Sequence, residues 1–139
     1  MRYKIGTQPP SLIVLIFIIS SSAMANVFVS PAIPSIAQHF HISSNEVQNV
    51  TIYFILGYLF GQIIYAPMIK GIGIKKTLTF GISIYFIGTI GCFASYLFDS
   101  FELLKYSRAI TGIGSGSGFV AIYTTINNIW YEKEARKIT

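Results

Sequence analysis

The sequence YFILGYLFGQIIYAPMIKGIGIKKTL, residues 53–78, sets the architecture of the chain because it joins two apolar runs through a short basic turn. The first run, 47–69, and the second, 77–98, contain no acidic or basic residue. Either run would be about 33 Å long as an α-helix, which matches the roughly 30 Å of hydrocarbon in a bilayer. The turn holds Lys70, Lys75 and Lys76. The stretch therefore predicts a hairpin of two transmembrane helices with its turn on the positive side of the membrane.

The composition also indicates a protein embedded in a lipid bilayer. Of the 139 residues, 53% are hydrophobic and 11% are charged, which excludes a disordered chain and disfavours a soluble domain. The net charge of +5 comes from clusters at the ends of apolar runs, so we interpret it as a topology signal and expect no nucleic-acid partner. The single cysteine, Cys92, excludes a disulfide framework and a Cys-rich metal site.

Two further apolar runs flank the hairpin. The beginning of the chain resembles a secretory signal with a cleavage site at 23–25, but its apolar character continues past that site, which favours an uncleaved first helix. We expect Pro31 and Pro34 to end or kink this helix, and the next connection, 35–41, to carry His39 and His41 in solvent. Ser43 and Glu46 form a capping-box pattern that begins the second helix. The predicted transmembrane helices span about 11–33, 44–68, 77–98 and 101–129.

The loop charges predict the orientation. Lys and Arg occur at the amino end, in the turn after the second helix and at the carboxyl end, all on one side of the membrane. The opposite loops have none, apart from Lys105 just inside the fourth helix. Cationic loops remain in the cytoplasm, so we expect a multi-pass protein of the inner (plasma) membrane with both termini cytoplasmic.

Arg108 is the foremost candidate for a functional side chain. It lies two turns into the fourth helix, at a depth of roughly 9–12 Å by helix rise. A charge at that depth costs a few kcal/mol, so it usually faces a cavity or a partner and marks a transport pathway. The alternative is that the side chain snorkels to the nearer interface. Gly112 and Ser115 follow at helical spacing and give the same face small residues for packing.

Glycines recur four residues apart in the second and fourth helices. The run 112–118, GIGSGSG, has neither the preceding strand nor the following Lys-Ser/Thr pair that a nucleotide-binding loop requires. We therefore predict close helix packing. The residues of this packing motif are Gly57, Gly61, Gly112, Gly114, Gly116 and Gly118.

The apolar runs contain no nucleophile–base pair, carboxylate dyad or metal cluster. We therefore expect no enzymatic activity, no bound metal and no cofactor. The expected partners are the lipid bilayer and small molecules.

Three segments carry a resemblance to a known family. These are 31–40 (PAIPSIAQHF), 61–67 (GQIIYAP) and 108–114 (RAITGIG). In this order they resemble the first, second and fourth helices of drug–proton antiporters of the major facilitator superfamily, of which the Bcr/CflA type is most similar. The resemblance implies an all-α membrane protein whose four helices correspond to the first part of a twelve-helix fold. It also implies export of small, often amphipathic molecules driven by a proton gradient, with Arg108 in the proton-coupling machinery.

The resemblance assigns further residues as well. Gly73, Lys75 and Lys76 correspond to the cytoplasmic loop signature of the family. The candidate contacts to a substrate cavity are Asn26, Tyr53, Tyr58 and Gln62.

The chain also departs from the family pattern. Lys70 and Gly71 occupy the positions of an acid and an arginine in the loop signature, which puts gating in doubt. Asn26 and Val27 lie where many relatives carry an acid, and Thr111 replaces a glutamine.

Alternating access requires two six-helix halves, so four helices predict a transporter fragment that is inactive alone or needs a second chain to supply the remaining helices. One alternative is a four-helix membrane protein that acts by packing against partner subunits. Another is a small dimeric multidrug exporter, which needs a carboxylate in its first helix, and 11–33 contains none.

Overall fold

The computed structural model describes residues 29–137, with side chains to residue 127, and a few single residues between 13 and 27. Most of the predicted first helix, including Asn26, lies outside the described residues. The described helices are α1 (Val29–Phe40), α2 (Ser44–Ile72), α3 (Ile74–Leu97) and α4 (Phe101–Lys137). No strand occurs in the described part. Three helices, α2, α3 and the Phe101–Asn127 part of α4, are long and apolar enough to cross a membrane, which confirms the all-α membrane fold.

Helix α1 continues further than the sequence suggested. It includes Pro34 and ends at Phe40, so the prediction of a connection over 35–41 was wrong. A proline removes one backbone N–H but keeps a helical φ, and the residues that follow Pro34 contain no other helix breaker. The chain turns instead at His41, where φ is +53°. The N–H of Ile42 then donates to the carbonyl of Ala37 at 3.1 Å.

Helix α2 begins with the predicted capping box. The backbone N–H of Ser43 donates to Oε2 of Glu46 at 3.0 Å, and the N–H of Glu46 donates to Oγ of Ser43 at 3.3 Å. The helix runs through Pro67 to Ile72, four residues beyond its predicted end. Only Gly73, with φ +89°, breaks the helical path, so a single residue separates α2 from α3, and α3 begins at 74 rather than 77.

A network of polar and aromatic contacts joins α1 to the α3–α4 turn. Nε2 of His39 lies 3.3 Å from Oδ1 of Asp99, and the His39 ring stacks on Tyr96 with centroids 4.8 Å apart. The expectation that His39 lies in a loop was therefore wrong, although its side chain is exposed as expected. Ser100 caps α4 by accepting the N–H of Leu103 at 3.3 Å.

Helix α4 lies between α2 and α3 and packs on both. Gly57 faces Ala109 and Gly61 faces Ile113. The two residues of each pair are the same number of positions apart in the sequence, so α2 and α4 run parallel. Along α3 the order reverses, so α3 and α4 are antiparallel; the facing pairs are Gly81 with Ser117, Gly88 with Thr111 and Gly91 with Ser107. Half of the membrane-crossing part of α4 is buried, which is more than in α2 or α3.

Helix α4 is also the longest of the four. Its 37 residues extend to Lys137, eight beyond the predicted end at 129. At 1.5 Å per residue it is about 55 Å long, well over the thickness of bilayer hydrocarbon. Because α2 and α4 run parallel, the carboxyl end of α4 projects past the Gly73 turn.

Candidate functional site

Arg108 lies on the face of α4 that borders both neighbouring helices. Its side chain is 9% exposed, and its Cζ atom lies 5.2 Å from the centroid of the Phe54 ring on α2. Arginine stays protonated in proteins, so the site holds a permanent positive charge. The face of an aromatic ring attracts such a charge and offsets part of the cost of burying it.

The described residues provide Arg108 with no carboxylate partner. Its Nε and Nη2 atoms are buried and have no hydrogen-bond acceptor among them. The carboxylates near this end of the bundle bind other groups: Glu46 binds Ser43, Asp99 binds His39 and Glu102 binds Lys105 at 2.6 Å. The guanidinium is therefore a buried charge with a neutral aromatic neighbour and, in the described part of the chain, without an opposite charge.

A short chain of polar side chains adjoins Arg108 on the α3 side. The hydroxyl of Thr111 donates to the carbonyl of Ser107 at 2.7 Å and lies 4.0 Å from Sγ of Cys92. Ser107 and Thr111 are each at most 3% exposed. Sequence reasoning did not connect these residues with Arg108. The available signal was the spacing of three between Arg108 and Thr111, which places these two side chains beside each other on the helix surface.

Two of the candidate cavity residues lie on the same side as Arg108. Phe54, which contacts Arg108, stacks on Tyr58 with centroids 6.4 Å apart, and Tyr58 contacts Phe119 at the same distance. Phe119 follows Arg108 by eleven residues, close to three helical turns, so both lie on one face of α4. Gln62 lies beside Tyr58 one turn further along α2. These residues form one continuous surface with Arg108.

Tyr53 lies elsewhere. Its ring contacts Tyr106 with centroids 6.0 Å apart and lies 5.6 Å from Nζ of Lys105. Tyr106 precedes Arg108 by two residues, about 200° around the helix, and therefore lies on the opposite face of α4. The structure separates Tyr53 from Tyr58 and Gln62, and Asn26 lies outside the described residues.

The glycines of the packing motif lie at close helix contacts. A Cβ added to Gly61 would lie 2.5 Å from the carbonyl oxygen of Ile113, and one added to Gly116 would lie 3.0 Å from that of Tyr58. Gly57 and Gly112 leave still less room between α2 and α4. Gly114 faces the backbone of α3 at Tyr85, and Gly118 is buried. Gly112 and Gly116 thus contact α2, and Gly114 contacts α3.

The loop-signature residues surround the turn between α2 and α3. Gly73 forms the turn itself, and its carbonyl accepts the hydroxyl of Thr77 at 2.9 Å. Lys70, Lys75 and Lys76 are exposed around it. The turn therefore presents three ammonium groups at the end of the hairpin.

Comparison with known proteins identifies the family. The Major Facilitator Superfamily profile matches residues 15–138. Three proteins of Schizosaccharomyces pombe, described as uncharacterized transporters, are 28% identical over 86% of this chain and 26% of their own length. The MFS-type transporter MFS19 of Alternaria alternata is 28% identical over 81% of this chain and 24% of its own length.

The chain thus spans about a quarter of the length of these curated relatives. No solved structure matches it. With its apolar helices and this profile match, the chain is a multi-pass membrane protein that belongs to the Major Facilitator Superfamily of transporters.

Proposed function

We propose that this chain supplies the first helices of a proton-coupled exporter of small amphipathic molecules, similar to drug–proton antiporters of the Bcr/CflA type. The observation that carries the proposal is the burial of Arg108, 9% exposed and without an opposite charge among the described residues. A bilayer-spanning helix keeps a buried charge at a cost of a few kcal/mol, and such residues mark transport pathways. Tyr58 and Gln62 extend the Arg108 surface and supply aromatic and polar contacts for a substrate.

Arg108 takes part in proton coupling in this proposal. The guanidinium does not release its own proton, so its role is electrostatic. A fixed positive charge lowers the affinity of nearby groups for protons, and a substrate or a carboxylate that approaches the guanidinium reverses this effect. Binding and proton release are then linked through one side chain.

Transport requires helices beyond those in the 139 residues. Alternating access in this superfamily moves two repeats around a central site. We propose that the remaining helices come from further polypeptide, and that the complete transporter lies in the inner (plasma) membrane. The basic Gly73 turn and both chain termini lie in the cytoplasm, in accordance with the positive-inside rule.

The packing of the glycines does not favour the alternative of a protein that acts by helix packing with partner subunits. Gly57, Gly61, Gly112 and Gly114 are occupied by contacts within the chain. The alternative of a small dimeric exporter also lacks support, because 11–33 contains no carboxylate.

A chimera tests the proposal. Residues 1–139 replace the matching segment of the MFS-type transporter of Alternaria alternata, and the product is reconstituted into liposomes with an amphipathic fluorescent dye. We expect an imposed pH gradient to drive dye flux. Arg108→Gln should abolish the flux, whereas Lys105→Gln, three residues away, should retain it. Dye flux that persists in the Arg108→Gln chimera would show that Arg108 takes no part in proton coupling. Flux from the 139-residue chain alone would show that it needs no further helices.

A further inference from the structure

The unpartnered atoms of Arg108 form one edge of the guanidinium. Nε and Nη2 are both buried without an acceptor among the described residues. Nη2 is the terminal nitrogen on the side of the Nε hydrogen, so the two N–H bonds along this edge are parallel. This fork matches the two oxygens of a carboxylate, which it binds through two charge-assisted hydrogen bonds. A lysine would offer a point charge and no fork.

Within the part of the chain whose side chains the structure describes, no carboxylate pairs with the fork. The sequence has five acidic residues, which are Glu46, Asp99, Glu102, Glu132 and Glu134. The first three bind Ser43, His39 and Lys105. The other two follow Arg108 on α4 by about 36 Å and 39 Å of helix rise. Residues 1–28 contain no acid at all. The acidic residues within positions 1–139 therefore leave the fork of Arg108 without a carboxylate.

The surroundings of the fork suit an amphipathic ligand. Phe54 is 4% exposed and lies against the guanidinium, and Tyr58 and Phe119 continue the same face with aromatic rings. A buried positive charge without an opposite charge favours anions and disfavours cations. Aromatic rings beside it provide apolar area and stacking for the rest of a ligand.

We propose that the Nε–Nη2 edge of Arg108 binds the carboxylate of an amphipathic organic acid. This assignment rests on the proposed function in one respect, since it names organic anions as the substrate class of the transporter. Both nitrogen atoms are closed off from solvent, so a ligand reaches them only when the Arg108 side chain or a neighbouring helix moves. The ligand therefore favours the conformation in which the fork is open, and binding and conformational change are coupled.

Binding of benzoate to the purified 139-residue chain in detergent micelles tests the assignment. Benzamide is the matched probe, because it keeps the ring and the size but carries no charge. We expect calorimetry to detect benzoate binding and benzoate to raise the melting temperature in a saturable way, with no effect of benzamide. Arg108→Lys should weaken benzoate binding by about tenfold or more, because it keeps the charge but loses the fork. Lys105→Gln should bind benzoate as the wild type does.

Several results would overturn the assignment. These are equal effects of benzoate and benzamide, no benzoate binding, or wild-type affinity in Arg108→Lys. Circular dichroism of each variant establishes that it is folded, and Arg108→Gln serves as the second variant if Arg108→Lys loses helix. A further outcome combines three observations: the chain elutes as a dimer, Arg108→Lys destabilises it, and benzoate does not bind. This outcome would place the acid on a second copy and refute the small-molecule assignment. Benzoate binding without dye flux in the chimera would refute the transport proposal alone.

Discussion

Replacement of Gly61 by alanine should force α2 and α4 apart. The added Cβ would lie 2.5 Å from the carbonyl oxygen of Ile113 and 3.1 Å from its carbonyl carbon. Both atoms belong to the backbone, so no change of rotamer can make room. Ordinary contact begins at 3.4 Å, so the helices must separate locally by about 0.9 Å. The separation also weakens the contacts that Gly57 and Gly112 make along the same face.

The magnitude follows from two opposing effects. Alanine is favoured over glycine inside a helix by about 0.5–1 kcal/mol. Overpacking of a close contact costs about 1–3 kcal/mol, and a contact against rigid backbone falls in the upper part of that range. We therefore expect Gly61→Ala to lower the free energy of unfolding by about 1–2 kcal/mol.

Gly71→Ala is the matched control. Gly71 lies in the same helix, and a Cβ added there meets nothing within 4 Å. This change should raise the free energy of unfolding by about 0.5–1 kcal/mol. The measurement is equilibrium unfolding of the purified chain in mixed micelles of increasing SDS fraction, followed by circular dichroism. A Gly61→Ala variant as stable as Gly71→Ala would refute the close packing of α2 on α4.

Other changes test the turns and the topology. Gly73→Ala should lower the free energy of unfolding by about 1–3 kcal/mol, because a side chain is strained at φ +89°. Thermal unfolding measures this loss, and an unchanged stability would contradict the one-residue turn. Ser43→Ala should cost about 1 kcal/mol in the same assay, because Glu46 loses its N–H acceptor, and no loss would mean that the capping box is not formed. In a variant whose native cysteine is serine, Lys75→Cys should react with a membrane-impermeant maleimide only after the cells are opened, whereas Asp99→Cys should react in intact cells; the reverse pattern would invert the topology.

Local signals in the sequence were sufficient for the three membrane-crossing helices that the structure describes and for the start of α2. The capping box involves residues three apart, so Ser43 and Glu46 carried all of the information in sequence. The ends of α1 and α2 were predicted less well: Pro31 and Pro34 were expected to end or kink the first helix, and the second was expected to end at 68. A proline inside a helix forfeits one hydrogen bond, whereas a positive φ ends the helical path, and that occurs at His41 and Gly73.

The candidate site was predictable in part. Arg108 was found because a charge in an apolar run is costly wherever its neighbours lie. The positions of Tyr53 and Tyr58 on different sides of α4 depend on which face of α2 meets α4. No local sequence pattern determines that face. The pair of His39 with Asp99 joins residues sixty positions apart, so no local pattern could reveal it.

The central place of α4 has a consequence for biosynthesis. Apart from their shared turn, α2 and α3 contact each other little, and each presents glycines to α4, namely Gly57 and Gly61 from α2 and Gly81, Gly88 and Gly91 from α3. Synthesis proceeds from the amino terminus, so both helices enter the membrane before the ribosome has completed their common neighbour. Until α4 is inserted, the faces of α2 and α3 that later contact it are exposed to lipid.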